Sequence, residues 1–294
     1  MLPREVLKRI RKIEIVTERL VRDRMAGQYH SVFKGRGIAF SEVRQYIPGD
    51  DIRLIDWNVS ARMNDTYVKL FTEEREMTVL LLVDMSASGR FGSRVRQKRD
   101  LTAELAAVLA FSAIRNNDRV GLIIFTDEVE KFVPPKKGKR HVLRVVSEIL
   151  SFQEKSKRTS LGAGLEFLSH VVRRKAVAFL ISDFLAPVPS YERALRVTAR
   201  RHDLIPVRIG DPLEEGLPNV GLVEIEDPET GEALVFDTAG PEAKAFARGV
   251  RQAGEARRAL FKRLSMDPIE LATDRPYLPA LTTFFESRAR RMRH

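Results

Sequence analysis

The sequence predicts an α/β chain built on a doubly wound, mainly parallel sheet with a small N-terminal arm, and three observations carry that expectation. Thr78 to Ser88 reads TVLLLVDMSAS, in which five consecutive apolar residues, Val79 to Val83, stop abruptly at Asp84. Such a run suits a strand buried on both faces, as in the centre of a parallel sheet. Ala176 to Ser182, AVAFLIS, repeats the pattern and stops at Asp183. Segments of helical periodicity alternate with these runs, and two all-apolar strands that each end in an acid mark the carboxyl edge of a doubly wound sheet, where ligands bind.

Composition sets the bounds. The 294 residues suffice for one large domain, or one domain with a substantial arm. No segment approaches the roughly 20 apolar residues of a membrane helix. The N-terminus is charged where a secretory signal would be apolar, so a cytoplasmic location is expected. With no cysteine, disulfides, thiolate catalysis and cysteine-ligated clusters are excluded. The formal charge of +11 favours an acidic partner surface without choosing among nucleic acid, anionic lipid and protein.

Residues 3 to 25 place Val6, Leu7, Ile10, Ile13, Val16, Leu20 and Val21 at helical spacing, which predicts an amphipathic helix docked on the body. It lacks the Trp or Phe anchors of a membrane-surface helix. From Tyr29 to Arg62 the composition shifts to turns and short strands. Gly35-Arg36-Gly37 neither follows a strand nor opens a helix, which argues against a phosphate-cradling loop. Within this stretch Tyr46 to Trp57 sets three acids and Arg53 around a Pro48-Gly49 turn and the only tryptophan. Arg44, Arg53 and Arg62 are expected to pair with Asp50, Asp51 and Asp56, with Trp57 as an apolar anchor. An acidic binding centre is the alternative, disfavoured because the arginines would neutralise it.

Beyond the central strand, Val95 to Arg115 reads as a helix and Val120 to Phe125 as a second strand. Glu128 to Val133 is expected to be an antiparallel or edge strand, ended by Pro134-Pro135. Lys136, Lys137, Lys139 and Arg140 form a basic run expected as a solvated loop before the helix of residues 141 to 152; a phosphate contact there would lack an aromatic stacking platform. Thr159 precedes a helix beginning near Leu161 and could simply cap it. Ser190 to Arg201 is helical, and Pro206 in the strand Leu204 to Ile209 suggests an edge position. Leu222 to Glu226 and Ala233 to Phe236 flank a turn-rich hairpin, Ala243 to Ser265 is a long helix, and Arg288 to His294 reads as a tail too basic to pack. The expected divisions are a helix at 1–25, the arm at 26–76, the α/β domain at 77–239 and helices packing on the body at 240–294.

Asp84, Ser86 and Ser88 alternate at a strand's carboxyl end, so one carboxylate and two hydroxyls can converge on one point. These are hard oxygen donors of the kind Mg2+ takes, although Asp-x-Ser-x-Ser is also ordinary capping chemistry. The pattern resembles the metal-ion-dependent adhesion site of von Willebrand factor A domains. Pro48-Gly49-Asp50-Asp51-Ile52-Arg53-Leu54-Ile55-Asp56-Trp57 upstream of it resembles the bacterial and archaeal family called domain of unknown function 58. Ala61-Arg62, Tyr67 to Phe71, Glu74 and the C-terminal Leu281, Phe284, Phe285 and Arg288 extend that resemblance along the chain. It implies a von Willebrand A-like domain in which Asp84, Ser86, Ser88 and Thr159 bind Mg2+ or Mn2+, with Asp183 reaching the cation through water and the two Asp-terminated strands adjacent. Thr159 to Leu165 resembles the Thr-x-x-x-x-Ala-Leu pattern of von Willebrand A domains, with Gly164 where alanine is usual.

These residues point to an interaction module rather than an enzyme, in which a partner's Asp or Glu completes the coordination. No P-loop, nucleophile elbow or His-Glu-x-x-His motif is present. Asp84-Met85-Ser86 also lacks the second Asp of haloacid-dehalogenase phosphoryl transfer. The family resemblance implies a MoxR-type AAA+ ATPase as partner, in a system that matures or remodels proteins. A nucleic-acid-binding protein using the basic run and tail is one alternative, and a metal-dependent hydrolase is the other.

Overall fold

In the computed structural model of the chain, residues 4–20, 29, 32, 39–72, 76–92 and 96–291 are described. Gly35-Arg36-Gly37, Glu74 and residues 292–294 of the basic tail lie outside them. The chain forms two compact units, residues 33–77 and the remainder.

The smaller unit pairs β1 (Ala39–Gln45) antiparallel with β2 (Tyr67–Thr72). Between them lie a 3-10 turn, Ile52–Leu54, and the short helix α2 (Trp57–Met63), numbered after the N-terminal α1 (Arg4–Leu20).

The larger unit is built on a six-stranded sheet with strand order β10-β7-β6-β3-β4-β5. These strands are β3 (Thr78–Asp84), β4 (Arg119–Phe125), β5 (Val129–Lys136), β6 (Val177–Ser182), β7 (Asp203–Gly210) and β10 (Ile269–Ala272). All neighbours run parallel except β4 and β5. The expected α/β class, with its mainly parallel sheet, is what the strand order shows. Val79 to Val83 are all fully buried because β3 is central in the sheet.

Helices α3 (Lys98–Arg115), α4 (Lys139–Leu150), α5 (Leu161–Val171), α6 (Val188–Arg201), α8 (Pro241–Arg263) and α9 (Leu278–Arg291) surround the sheet, with a single-turn α7 at Pro212–Glu215. Leu80, Leu82, Ile123 and Phe125 form one core with Leu161, Leu165, Tyr191, Leu195 and Phe261 of α5, α6 and α8. Helices α3 and α4 contact β3 and β4 but take no part in that cluster, so they cover the opposite face. Helix α1 docks on α3 and α4, with Arg9 paired to Asp100 and Lys139 to Glu14 (2.9 Å) and Glu18 (2.5 Å). Among the described residues no helix is long and apolar enough to cross a membrane.

Several expectations are corrected by the sheet. Pro134 and Pro135 do not end β5; they sit in an irregularity opposite Gly121, between the Leu122–Val133 and Val120–Lys136 pairs, on an edge strand that can forgo a donor. Pro206 does not mark an edge, because β10 adds a strand outside β7. That ladder begins only at Val207, so Pro206 stands beside a single paired neighbour, β6. The basic run is not a loop, since Lys136 ends β5 and Lys139 opens α4, while Lys137 Nζ donates to Asn117 Oδ1 at 3.2 Å. Nor is the described part of the basic tail unpacked. Arg288 and Arg291 belong to α9, with Arg288 paired to Asp203 and Arg291 to Asp267 at 2.6 Å.

Gly164 has a steric cause. A Cβ there would lie 2.7 Å from Phe125 Cδ1, because α5 packs directly on the end of β4. Gly164→Ala would gain about 1 kcal/mol of helix propensity, but overpacking typically costs about 1–3 kcal/mol. A net fall in the denaturation midpoint is expected, and a rise would contradict this packing.

Candidate metal centre

Strands β3 and β6 are parallel neighbours with Val83 opposite Ile181, so Asp84 and Asp183 emerge together at the carboxyl edge. The chain leaves β3 for β4 on one side and later enters β6 on the other, so the strand order reverses at this point. Asp84 Oδ1 accepts from Ser86 N at 3.1 Å, and Oδ2 accepts from Ser182 Oγ at 2.7 Å. Ser86 and Ser88 are buried with their Oγ atoms 3.1 Å apart. Ser86 opens the 3-10 turn Ala87–Arg90 without a side-chain cap bond, which leaves its hydroxyl facing that of Ser88.

The loop bearing Thr159 is tied to the same edge. Ala87 N donates to Lys157 O at 3.1 Å, and Ser160 N donates to Thr126 O, just past β4, at 2.8 Å. Ser160, not Thr159, caps α5, accepting from Ala163 N at 3.3 Å. Thr159 is thereby released from capping, and its Oγ1 donates to Glu229 Oε1 at 2.6 Å.

Asp183 is held from two sides. Its Oδ2 accepts from Lys98 Nζ at 2.6 Å, and its Oδ1 accepts from Leu185 N at 3.2 Å. The intervening Phe184 has φ +55°, a left-handed conformation costing a bulky residue on the order of 1–3 kcal/mol. Its ring is buried edge-on to Tyr191 (6.0 Å) and Phe261 (5.4 Å), which offsets that strain and fixes the turn that positions Asp183.

Lys98, only 2% exposed, bridges Asp183 and Glu214. Burial opposes its positive charge, yet the two carboxylates outweigh that and hold its pKa above the ordinary lysine value. Burial pushes Glu214 upward despite the lysine. Desolvation and then repulsion from Asp183 push Asp84 up to about 6, against the bonds from Ser182 and Ser86.

Sequence reasoning missed Ser182, Lys98, Glu214 and Glu229. Ser182 was readable as the hydroxyl preceding the acid of its strand. Lys98 carried no signal of its own, because it stands in a run of cations with Arg94, Arg96 and Arg99 at the start of its helix.

The arm pairs two of its acids as expected and holds the third differently. Arg44 grips Asp50 through two bonds of 2.6 and 2.8 Å, and Arg53 pairs with Asp51 at 2.9 Å. Asp56 caps α2 through Asn58 N and Val59 N, and its cationic neighbour is Lys69 at 3.5 Å rather than Arg62. Hydrogen bonds, from Arg44 to Asp50, from Arg53 to Asp51 and chiefly from Val59 N to Asp56, hold all three carboxyls below their usual range. Pro48-Gly49 forms the turn, with Gly49 at φ +112°. Trp57 is 71% exposed and is no apolar anchor.

Among the described residues no three His, Cys, Asp or Glu side chains are placed to hold a metal ion. A cation here would rest on one carboxylate and on hydroxyl oxygens, with water or an added acid completing its shell. That donor set suits a hard divalent ion. The charges suit it too, since Asp84, Asp183 and Glu214 outnumber Lys98.

The molecule is thus a mainly parallel α/β protein with a hydroxyl-and-carboxylate site at its switch point. The chain belongs to the family described as "Protein of unknown function DUF58", whose model matches residues 42–256. It is 32% identical over 285 residues to the uncharacterized protein Rv1480 of Mycobacterium tuberculosis, covering 96% of this chain and 89% of that protein. Among solved structures it is similar to the conserved hypothetical protein BatB from Bacteroides thetaiotaomicron, at TM-score 0.46 and 15% identity over 73% of this chain and 99% of that one. A von Willebrand factor type A structure from Catenulispora acidiphila gives TM-score 0.40 and 12% identity over 76% of this chain and 44% of that one. The fold class rests on the strand order itself.

Proposed function

We propose that the chain is a protein-interaction module that recognises an acidic side chain of its partner through a divalent cation. Asp84, Ser86, Ser88 and Thr159 would hold Mg2+ or Mn2+, with Asp183 behind a water molecule, and the cation would supply the positive charge that a carboxylate docks on. One observation carries this most: Asp84 stands beside a buried serine pair with its pKa raised, while the nearby ammonium of Lys98 serves Asp183 and Glu214. Among the described residues no cation pairs with this carboxylate, and a hard cation would supply that charge.

The partner we propose is a MoxR-type AAA+ ATPase, for which this chain would act as an adaptor in protein maturation or remodelling. Family membership supports that choice. The basic run supports a nucleic-acid role poorly, because Lys139 is already paired with Glu14 and Glu18.

The test is capture of the ATPase from source-cell lysate on the immobilised chain, comparing Mg2+ with EDTA and wild type with Asp84→Ala. Recovery with Mg2+ and an intact Asp84, but in neither control, is expected. Equal recovery in EDTA would remove the metal from the mechanism. Nucleic acid recovered regardless of EDTA and lost in high salt would replace it with a basic-patch mode.

A further inference from the structure

The hairpin of β8 (Leu222–Glu226) and β9 (Ala233–Asp237) reaches Thr159, one of the candidate ligands, with its tip. Its strands bury little, with Leu222 74% and Leu234 63% exposed. At its base, Thr238 Oγ1 donates to Gly221 O at 2.7 Å, and the Phe236 ring lies 6.0 Å from that of Phe246. The turn itself is rigidly built. Asp227 Oδ1 accepts from Glu229 N at 2.8 Å, Gly231 N donates to Asp227 O at 2.7 Å, and Gly231 takes the positive φ of +76° that closes the turn. This scaffold presents the part-buried Glu229 carboxylate to Thr159 Oγ1 at 2.6 Å.

A glutamate at such a place needs a reason. Among the described residues no cation pairs with Glu229, and a neutral hydroxyl is a weak reward for drawing a carboxylate out of water. Thr159 is also the candidate ligand that the capping Ser160 leaves free. The acid therefore adjoins one of the ligands of a coordination that the proposal above leaves one acid short.

We propose that Glu229 is the carboxylate that closes the cation site from within the chain, so that a partner's acid gains the metal by displacing the β8–β9 hairpin. This rests on the metal-dependent function proposed above. It makes the site self-capped when no partner is present. It also gives the exposed hairpin a task, as the element that moves when the partner arrives.

The test is titration of the full chain with Mn2+, followed by water proton relaxation, in wild type, Glu229→Gln and Asp84→Asn. Glu229 lies at an exposed turn and glutamine keeps its shape, so the variant is expected to fold. Loss of a carboxylate from the ion's surroundings is expected to weaken Mn2+ binding on the order of tenfold. The relaxivity of each bound ion should rise as water takes the vacated position. Backbone amides of residues 227 and 229–232 should gain protection from hydrogen exchange on addition of Mg2+ in wild type and not in Glu229→Gln. Unchanged affinity and relaxivity in Glu229→Gln, with binding still lost in Asp84→Asn, would overturn this inference alone. No Mn2+ binding by the wild type would overturn both it and the metal-dependent function.

Discussion

Replacing Lys98 by methionine is expected to cost about 3–5 kcal/mol of stability, the usual consequence of removing one member of a buried ion pair. The lysine is 97% buried by its side chain's exposure of 3%, and its ammonium lies 2.6 Å from Asp183 while also meeting Glu214. Methionine is close to lysine in length and shape, so little of the loss comes from packing. What remains is two carboxylates brought out of water without their counter-charge. A companion variant in which Asp183→Asn and Glu214→Gln accompany Lys98→Met should recover much of the loss. Urea denaturation reads both. A Lys98→Met protein as stable as wild type would mean that Lys98 does not neutralise this cluster.

Asp84→Asn should act in the opposite direction in metal-free protein. The folded pKa of Asp84 is raised from 3.8 to about 6. The folded state therefore holds a proton that the unfolded state has released across that interval. Stability contributed by this residue is fully present below the unfolded pKa and is lost as pH rises through about 4 to 6. Above that window the ionised carboxylate costs about 2 kcal/mol, after allowance for its partial exposure to solvent. Asparagine removes the titration, so the variant should be more stable than wild type at pH above 7 and about equal to it at pH near 4. A wild-type curve with the same slope as the variant through this interval would refute the raised pKa. A site residue whose removal stabilises the fold is one that the sequence retains for something other than folding.

The parts of this architecture legible in the sequence are those where burial writes an uninterrupted apolar run. Val79 to Val83 and Ala176 to Ser182 announced central parallel strands because both of their faces are covered, and the acid after each marked the sheet edge. The hairpin was readable from its Asp227-to-Gly231 turn. Pro206 misled because an edge was inferred from a missing donor, while β10, only four residues long, is too brief to register as a strand. Trp57 misled through its apolar character, which composition equates with burial and the fold leaves exposed. The candidate ligands Asp84, Ser86 and Ser88 could be listed from alternation alone. Lys98 and Glu229 could not, because their partners lie 85 and 70 residues away along the chain and only the folded topology joins them.

Calorimetric titration of Mg2+ into the EDTA-treated full chain, at pH above 7 and in wild type and Asp84→Asn, bears most directly on a cation-based recognition site. Saturable binding to a single site in wild type, absent from Asp84→Asn and weakened as pH falls below about 6, is the expected result. Equal heats in the two proteins, or no saturable binding in the wild type, would contradict a metal centre at the carboxyl edge of β3.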